Sequence, residues 1–275
     1  MSEPTGCARC CTPSKAYCDP CDLLVGLPGL HVIDVAEPGA GLVVRVESPP
    51  APAGCPQCGV IAAGRGRREV VLVDAPSFGR PVRMVWRKRT WRCREPDCAG
   101  GAFTEQDVRI ARPRGLLTAR ACGWAIGQLR NEHASVSGLA RQLGTTWRTV
   151  WRAIQPILQA LADDESRFAG VTTLGADEHI WHHVSTRPVD QGGRGPKEWT
   201  GMIDLTHDLH GKVRARLLDL VVGRSGQAYA DWLTARGDQF RAGVKVATLD
   251  PFHGYKNAID DRLEDATAVL DAFQS

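Results

Sequence analysis

The chain has 275 residues, of which 43% are apolar and 24% charged, and its formal net charge is +3. A chain of this length and composition has room for about two globular domains. No apolar stretch approaches the ~20 residues of a membrane-spanning helix, and no basic-then-apolar signal segment begins the sequence, so we expect a cytosolic protein.

The charge is unevenly distributed along the chain. Residues 1–153 carry 21 Lys and Arg against 13 Asp and Glu, whereas residues 154–275 carry 13 against 18. Of the 34 basic residues, 28 are arginine, which suits bidentate contacts to phosphate and guanine better than lysine does. The first half is therefore expected to bind a polyanion.

Ten cysteines in a reducing compartment favour zinc sites over disulfides. Five of them lie in residues 1–22, which lack apolar periodicity and are interpreted as a cysteine-rich tail. Whether this tail binds a second zinc ion stays open, and its ligands would be Cys7, Cys10, Cys18 and Cys21. The next segment, 23–105, has short apolar runs separated by turn residues, which predicts a strand-rich piece.

A second cysteine group lies inside that strand-rich piece and has the spacing of a zinc ribbon. Cys55 and Cys58 form a C-x2-C turn followed by Gly59, and Cys93 and Cys98 follow 34 residues later. Two such hairpin tips can hold one tetrahedral ion, so we predict a structural zinc site. Cys122 has no partner at a comparable spacing and is predicted to be a small buried side chain.

The segment between the two cysteine pairs is strongly basic, with ten basic residues against Glu69 and Asp74 from position 64 to position 94. Positive charge interleaved with Trp86 and Trp91 is typical of a nucleic-acid surface. For the tryptophans we favour the alternative that they point inward as ribbon core. For the charge we favour DNA contact, and the candidates are Arg87, Lys88 and Arg89.

Residues 106–165 are predicted to form a helix-turn-helix domain. Small and apolar residues at helical spacing surround Gly144, which suits a left-handed turn between two packed helices. The second helix is expected from about Thr146 to Gln155, ending before Pro156. The alternative is an ordinary helical hairpin. The residues expected to enter the DNA major groove are Thr146, Trp147, Arg148, Thr149 and Arg152.

Residues 166–275 change to a pattern of four strands, with a helix between the third and the fourth. Asp177 closes the first strand and Asp250 the fourth. If these strands are adjacent, both carboxylates lie at the same end of the sheet and can share magnesium ions for phosphodiester chemistry. For a single aspartate a turn or helix cap is the common alternative.

Three histidines near Asp177 invite a rival interpretation as a mononuclear zinc hydrolase. In a strand, however, His179 and His183 face one side and His182 faces the other, so the three side chains do not easily converge.

In this order the motifs resemble those of the bacterial insertion-sequence transposases of the ISL3 family. The resemblance extends from Asp22 to the end and rests on DLLVGLPGLHVIDVAE, CPQCG, WRCREPDC, the helix-turn-helix, LGADEH, TGMIDLT and TLDPFHGYKNAI. It implies an α/β protein in which the zinc ribbon and helix-turn-helix precede a partial ribonuclease H-like mixed sheet. It also implies an Asp-Asp-Glu triad with magnesium or manganese, in which Asp177 is the first acid and Asp250 the second.

The third acid of that triad has no counterpart in the resemblance. Asp271 matches an aspartate outside the triad, and Glu264 and Asp265 are interpreted as solvated helix residues. We therefore expect a C-terminally truncated transposase that is inactive in strand transfer by itself, or alternatively a DNA-binding regulator of transposition.

The resemblance further implies which partners the chain has and where it acts. Its partner is double-stranded DNA at terminal inverted repeats, bound by a homodimer in the nucleoid. We expect neither a membrane nor a small-molecule substrate.

Overall fold

The computed structural model describes residues 17–182, 187, 189–192, 197–213, 215–249 and 253–270, with the backbone alone at 181, 182, 189, 197 and 253. The chain forms two compact units that divide between Ala162 and Asp163. Within these described ranges, no helix is both long enough and apolar enough to cross a membrane.

The first unit begins with a sheet in the order β1-β2-β4-β3, with β5 paired to β4. A two-residue turn joins β3 to β4, and its residues Phe78 and Gly79 both have positive φ angles, 52° and 71°, as a type I′ hairpin requires. The elements are α1 (Asp19–Val25), β1 (His31–Ala36), β2 (Leu42–Glu47), β3 (Ala63–Ser77), β4 (Arg80–Arg92) and β5 (Ala102–Thr104).

The core of this sheet confirms the inward orientation predicted for the tryptophans. Trp86 is fully buried and Trp91 is 7% exposed. Trp86 packs with Val46, Val82 and Met84 on one face of the sheet. The first of the short apolar runs expected as strands, at residues 23–27, ends helix α1 instead, since a run this short does not distinguish helix from strand.

Three helices follow the sheet: α2 (Ala119–Asn131), α3 (Val136–Gln142) and α4 (Trp147–Ala162). The side chain of Thr118 caps α2 by accepting from the N–H of Ala121, and Ser135 caps α3 by accepting from the N–H of Gly138. The side chains that join the three helices are fully buried: Leu139, Leu143, Val150 and Ile154. The predicted helical spacing is confirmed.

The predicted end of the last helix was wrong, because α4 continues through Pro156 to Ala162. Proline removes one helical N–H bond and costs about 3 kcal/mol in a helix interior. Pro156 lies on the exposed side, where water can bind the unpaired carbonyl of the preceding turn. Beyond it, Ile157 and Leu158 pack against the helical core and offset that cost.

The second unit contains a five-stranded sheet in the order β10-β9-β6-β7-β8. The pairs β6–β7 and β7–β8 are antiparallel, whereas the pairs β6–β9 and β9–β10 are parallel. The four predicted strands and the helix between the last two are confirmed; β10 was not predicted. The strands are β6 (Thr173–His182), β7 (Lys197–Asp204), β8 (Arg216–Val222), β9 (Val246–Leu249) and β10 (Thr267–Leu270).

Helices α5 (Gly226–Ala235) and α7 (His253–Arg262) pack on each other and on this sheet, while α6 (Gly237–Gly243) leads into β9. Their contact with the sheet is a single apolar core whose largest fully buried members are Leu174, Met202, Leu218, Tyr229, Leu233, Tyr255 and Ile259. A mixed sheet with helices on it confirms the predicted α/β class. Glu264 and Asp265, predicted on a helix, lie exposed in the turn that follows α7.

Candidate metal centres and nucleic-acid interface

The predicted zinc ligands come together at the end of the β3–β4 hairpin. The sulfur atoms of Cys55, Cys58, Cys93 and Cys98 all lie within 4.8 Å of one another. Cys55 Sγ is 3.8 Å from Cys98 Sγ, and Cys58 Sγ is 3.5 Å from Cys93 Sγ. Sulfurs bound at about 2.3 Å to one tetrahedral zinc ion are about 3.8 Å apart, so the quartet fits zinc.

Backbone N–H groups favour the thiolate at Cys55, whereas at Cys93 and Cys98 hydrogen bonds among the sulfurs and burial outweigh such donors and raise the pKa. Hydrogen bonds from the backbone N–H groups of Cys58 and Gln57 lower the pKa of Cys55 to about 7. The N–H of Gly100 donates to Cys98 Sγ at 3.3 Å. The turn that allows this geometry closes at Gly59, whose φ is 76°. Such N–H donors stabilise the negative charge of a tetrathiolate site.

Gly100→Ala is expected to weaken zinc binding at least tenfold. A Cβ at position 100 would lie 2.6 Å from Cys55 Sγ and 3.2 Å from Cys98 Sγ, so the two ligands would have to separate. Competition with a chromophoric chelator measures the affinity. Gly64→Ala is the matched control, because a Cβ there meets nothing within 4 Å. Equal zinc affinity in both variants would contradict the expectation.

The hairpin residues predicted to contact DNA have partners inside the first unit. Arg87 pairs with the buried Glu47 at 3.2 Å, and Arg89 pairs with Glu105 at 3.3 Å. Lys88 is buried, donates to Gln106 at 3.2 Å and lies 4.1 Å from the centre of the Trp86 ring. Burial lowers the pKa of Lys88. DNA contact by Arg87, Lys88 and Arg89 stays a prediction.

The helix-turn-helix presents the predicted residues at the start of α4. Thr146 Oγ1 accepts from the N–H of Thr149 at 3.2 Å and so caps the helix. Thr146, Arg148 and Arg152 are exposed, Thr149 is half-buried, and Trp147 is 49% exposed. Trp147 stacks on Trp151 with 5.9 Å between ring centres. The beginning of α4 therefore offers polar and basic groups to a ligand.

The turn before α4 is held on the sheet of the same unit. Gly144 has φ 60°, as predicted for this turn, and a Cβ there would lie 3.0 Å from Pro81. Arg83 on β4 donates to the carbonyl of Leu143 at 3.0 Å and also to that of Gly144. The position of α4 is thus fixed relative to the hairpin.

The prediction that Asp177 closes the first strand of the second unit was wrong, because the pairing of β6 with β7 continues to His182. Asp177 is exposed within β6, and its Oδ1 accepts from the N–H of Glu178 at 2.7 Å. β6 and β9 are adjacent and parallel, with Ala176 paired to Leu249, so the strand adjacency that the acid pair requires is confirmed. Asp250 lies outside the described residues. It follows Leu249 in the sequence as Asp177 follows Ala176. Convergence of the two carboxylates stays a prediction.

Glu178 lies on the opposite face of β6 from Asp177, because side chains alternate along a strand. Glu178 Oε1 is 2.5 Å from Nε of Arg224, and Arg224 is also 4.0 Å from Glu198. On the same face, the hydroxyl of Thr200, the strand partner of Glu178, lies 3.0 Å from that of Tyr255, whose pKa is raised by burial. Sequence reasoning missed this polar layer.

The rival histidine site gains no support from the part of the chain that the structure describes. There, the cysteine quartet is the one group of three or more His, Cys, Asp or Glu side chains placed to hold an ion. His179 is exposed. His183, the side chain of His182, Asp271, Cys7 and Cys10 lie outside the described residues. Cys18 is buried at the start of α1 and Cys21 is half-buried.

Three family profiles match the chain in sequence order. Residues 51–98 match the zinc-finger of transposase IS204/IS1001/IS1096/IS1165, residues 106–158 match the helix-turn-helix domain of transposase family ISL3, and residues 191–274 match a DDE transposase profile of the same family. No curated protein matches the chain.

Among solved structures, the chain is similar to one titled Drosophila P element transposase strand transfer complex, with 11% sequence identity and a TM-score of 0.32. The match covers 61% of this chain and 45% of that chain, so this chain spans less than half the length of the P element transposase chain.

Proposed function

Because the chain belongs to the ISL3 family of transposases, we propose that it recognises the terminal inverted repeats of an insertion sequence in double-stranded DNA. The zinc ribbon and the helix-turn-helix make it a DNA-binding protein of that family. The observation that carries the proposed recognition of inverted repeats is the start of α4. Its exposed threonine and arginine side chains directly follow a turn that Arg83 binds to the hairpin.

In this proposal α4 enters the major groove with its first turn. Thr146 and Thr149 supply hydroxyls, and Arg148 and Arg152 supply guanidinium groups that can bind guanine or phosphate. Two copies of the chain bound as a homodimer would hold two element ends together. Since the partner is chromosomal DNA, we place this activity in the nucleoid of the cytoplasm.

The second unit is the DDE transposase domain, and its class uses magnesium or manganese to stabilise charge on the attacking and leaving oxygens of a phosphodiester. We propose that Asp177, within β6, and Asp250, directly after β9 in the sequence, hold these ions. The parallel register of Ala176 and Leu249 supports this assignment. Arg224 neutralises Glu178 and Glu198 on the other sheet face and leaves Asp177 as the exposed acid of β6.

We further propose that the polypeptide of residues 1–275 binds element ends without cutting them efficiently. Glu178 and Glu198, carboxylates of β6 and β7, are engaged by Arg224, so neither is placed to complete a triad with Asp177. A site with an incomplete set of carboxylates holds the second ion poorly. The same reasoning supports the second candidate function, a DNA-binding regulator that competes for the ends.

Labelled element ends incubated with the purified chain in magnesium or manganese test the two candidates. We expect retarded complexes and less than about 1% nicking, and equal binding by Asp177→Asn, because Asp177 is outside the DNA-reading unit. Nicking that Asp177→Asn abolishes would contradict the proposed inactivity and establish the enzyme. Failure to retard any DNA by zinc-loaded protein would reject both candidates.

A further inference from the structure

A groove of about 650 Å³ separates α4 from the loop 112–116 in the first unit. Its floor is apolar and is formed by Leu117, Cys122, Ala153 and Ile157. Four arginines line it, two from the loop and two from α4: Arg112, Arg114, Arg148 and Arg152. All four arginines are exposed.

A second hollow of about 320 Å³ lies on the other side of the same loop. Arg112 and Arg114 line it too, together with Arg68 of β3. Because both hollows share the loop arginines, the basic side chains form one continuous surface from β3 to α4. We call it the arginine track, and its members are Arg68, Arg112, Arg114, Arg148 and Arg152.

In the part of the chain that the structure describes, no carboxylate neutralises the charge of the arginine track. Within the ranges that the structure describes, no carboxylate lies within 4.0 Å of any of its five guanidinium groups. Other arginines of the first unit, outside the track, do pair with carboxylates: Arg45, Arg67, Arg80, Arg87, Arg89, Arg109 and Arg120. Unpaired arginines gathered along one groove indicate a polyanionic ligand.

The loop that carries Arg112 and Arg114 begins after Ala111, whose N–H donates to the carbonyl of Asp107 at 3.0 Å, and its other end is bound to β3. The N–H of Val73 donates to the carbonyl of Leu116 at 2.8 Å, and the N–H of Thr118 donates back to the carbonyl of Val73 at 3.0 Å. Within the loop, the N–H of Gly115 donates to the carbonyl of Arg112 at 2.9 Å. A fixed backbone lowers the entropy lost when these side chains bind.

We propose that the arginine track binds the sugar–phosphate backbone of the DNA whose bases α4 contacts. This inference rests on the proposed function and adds a binding site that no family profile assigns. Guanidinium groups bind phosphate oxygens through paired N–H donors, and the apolar floor suits the C–H edges of deoxyribose. Arg68, Arg112 and Arg114 of the track contribute affinity and register, and the first turn of α4 contributes the sequence preference.

The test compares the double variant Arg112→Gln/Arg114→Gln with the double variant Arg45→Gln/Arg80→Gln. The control removes the same charge from the same unit, but from arginines that already pair with Asp34, Glu69 and Glu37. Zinc-loaded full-length protein is titrated with element-end and scrambled duplexes from 50 to 300 mM salt. Arg80, Arg112 and Arg114 are exposed and Arg45 is half-buried, and zinc content and circular dichroism report folding.

Each lost phosphate contact lowers the slope of log affinity against log salt by about 0.9. We therefore expect the track variant to lose about 1.8 from the slope and roughly 50-fold in affinity at 0.1 M salt, equally on both duplexes. The control should lose little. Arg112→Lys/Arg114→Lys should retain the slope while losing part of the affinity, because lysine keeps the charge and not the bidentate geometry.

The inference would be overturned if the track variant kept the wild-type salt slope, or if the control variant lost as much DNA affinity as the track variant. It would also be overturned if the track variant lost affinity for the element-end duplex alone, because these arginines would then contact bases. Tighter binding to duplex RNA of the same sequence would reject DNA as the occupant. Absence of DNA binding by the wild-type chain would instead reject the proposed function itself, so the two failures are distinguishable.

Discussion

Replacing Cys58 with serine is expected to remove one equivalent of zinc and to lower DNA affinity at least a hundredfold, about 2.7 kcal/mol. Structural zinc contributes about 10–16 kcal/mol to the folding of such sites. The quartet joins the hairpin to the segment that returns through β5, where Phe103 stacks on Trp91 at 5.5 Å between ring centres. Beyond β5 the chain supplies Glu105 and Gln106, the partners of Arg89 and Lys88.

Loss of the quartet therefore releases the strand that leads to the loop 112–116. Elemental analysis gives the zinc content, and fluorescence anisotropy with a labelled element end gives the affinity. The difference in zinc content between wild type and variant does not include any zinc bound by the N-terminal cysteines, because both proteins have them. Gln57→Ser is the control, because Gln57 is exposed next to Cys58 and acts on the quartet through its backbone N–H, which the substitution keeps. Full DNA affinity in a Cys58→Ser protein lacking one zinc would refute this link.

Features encoded by local spacing could be predicted from the sequence. Cys55 and Cys58 define a turn by themselves, and a second cysteine pair at a hairpin distance completes the tetrahedron. The turn at Gly144 and the buried Leu139, Leu143, Val150 and Ile154 follow from helical periodicity alone. The adjacency of β6 and β9 was a condition of the acid-pair prediction that local spacing does not encode, because β7, β8, α5 and α6 lie between these strands in the sequence.

Features decided by tertiary contacts could not be predicted in this way. α4 passes Pro156 because Ile157 and Leu158 find a buried surface, which helix propensity does not describe. The pairing of Arg224 with Glu178 depends on the sheet register across three strands. Arg112 and Arg114 lie outside the basic segment 64–94, and their position beside Arg148 and Arg152 depends on the packing of the loop 112–116 near α4.

Gly226→Ala is expected to destabilise the second unit by about 3 kcal/mol, because overpacking a tight contact costs 1–3 kcal/mol or more. A Cβ at position 226 would lie 2.2 Å from the carbonyl oxygen of Gly254 and 2.8 Å from its carbonyl carbon. These atoms belong to backbone, so no side-chain rotation relieves the clash. The first turn of α5 and the first turn of α7 would have to move apart.

The separation matters for the candidate catalytic site because α7 begins at His253, three residues after Asp250. In the native chain Tyr255 ties this turn to Thr200 of β7 at 3.0 Å. Hydrogen exchange measured by mass spectrometry should show faster exchange in peptides from α5, α7 and β7 of the variant. Divalent-ion binding, followed by manganese relaxation enhancement, should weaken in parallel.

Gly243→Ala is the control in the same unit, since its Cβ would make an ordinary contact of 3.6 Å with the carbonyl oxygen of Val171. We expect this variant to exchange at the wild-type rate, or more slowly, because alanine favours a helix over glycine by up to about 1 kcal/mol. If Gly226→Ala behaves like Gly243→Ala, the two helix starts are not packed as closely as the structure places them. The inferred coupling between α5 and the Asp250 segment would then be lost.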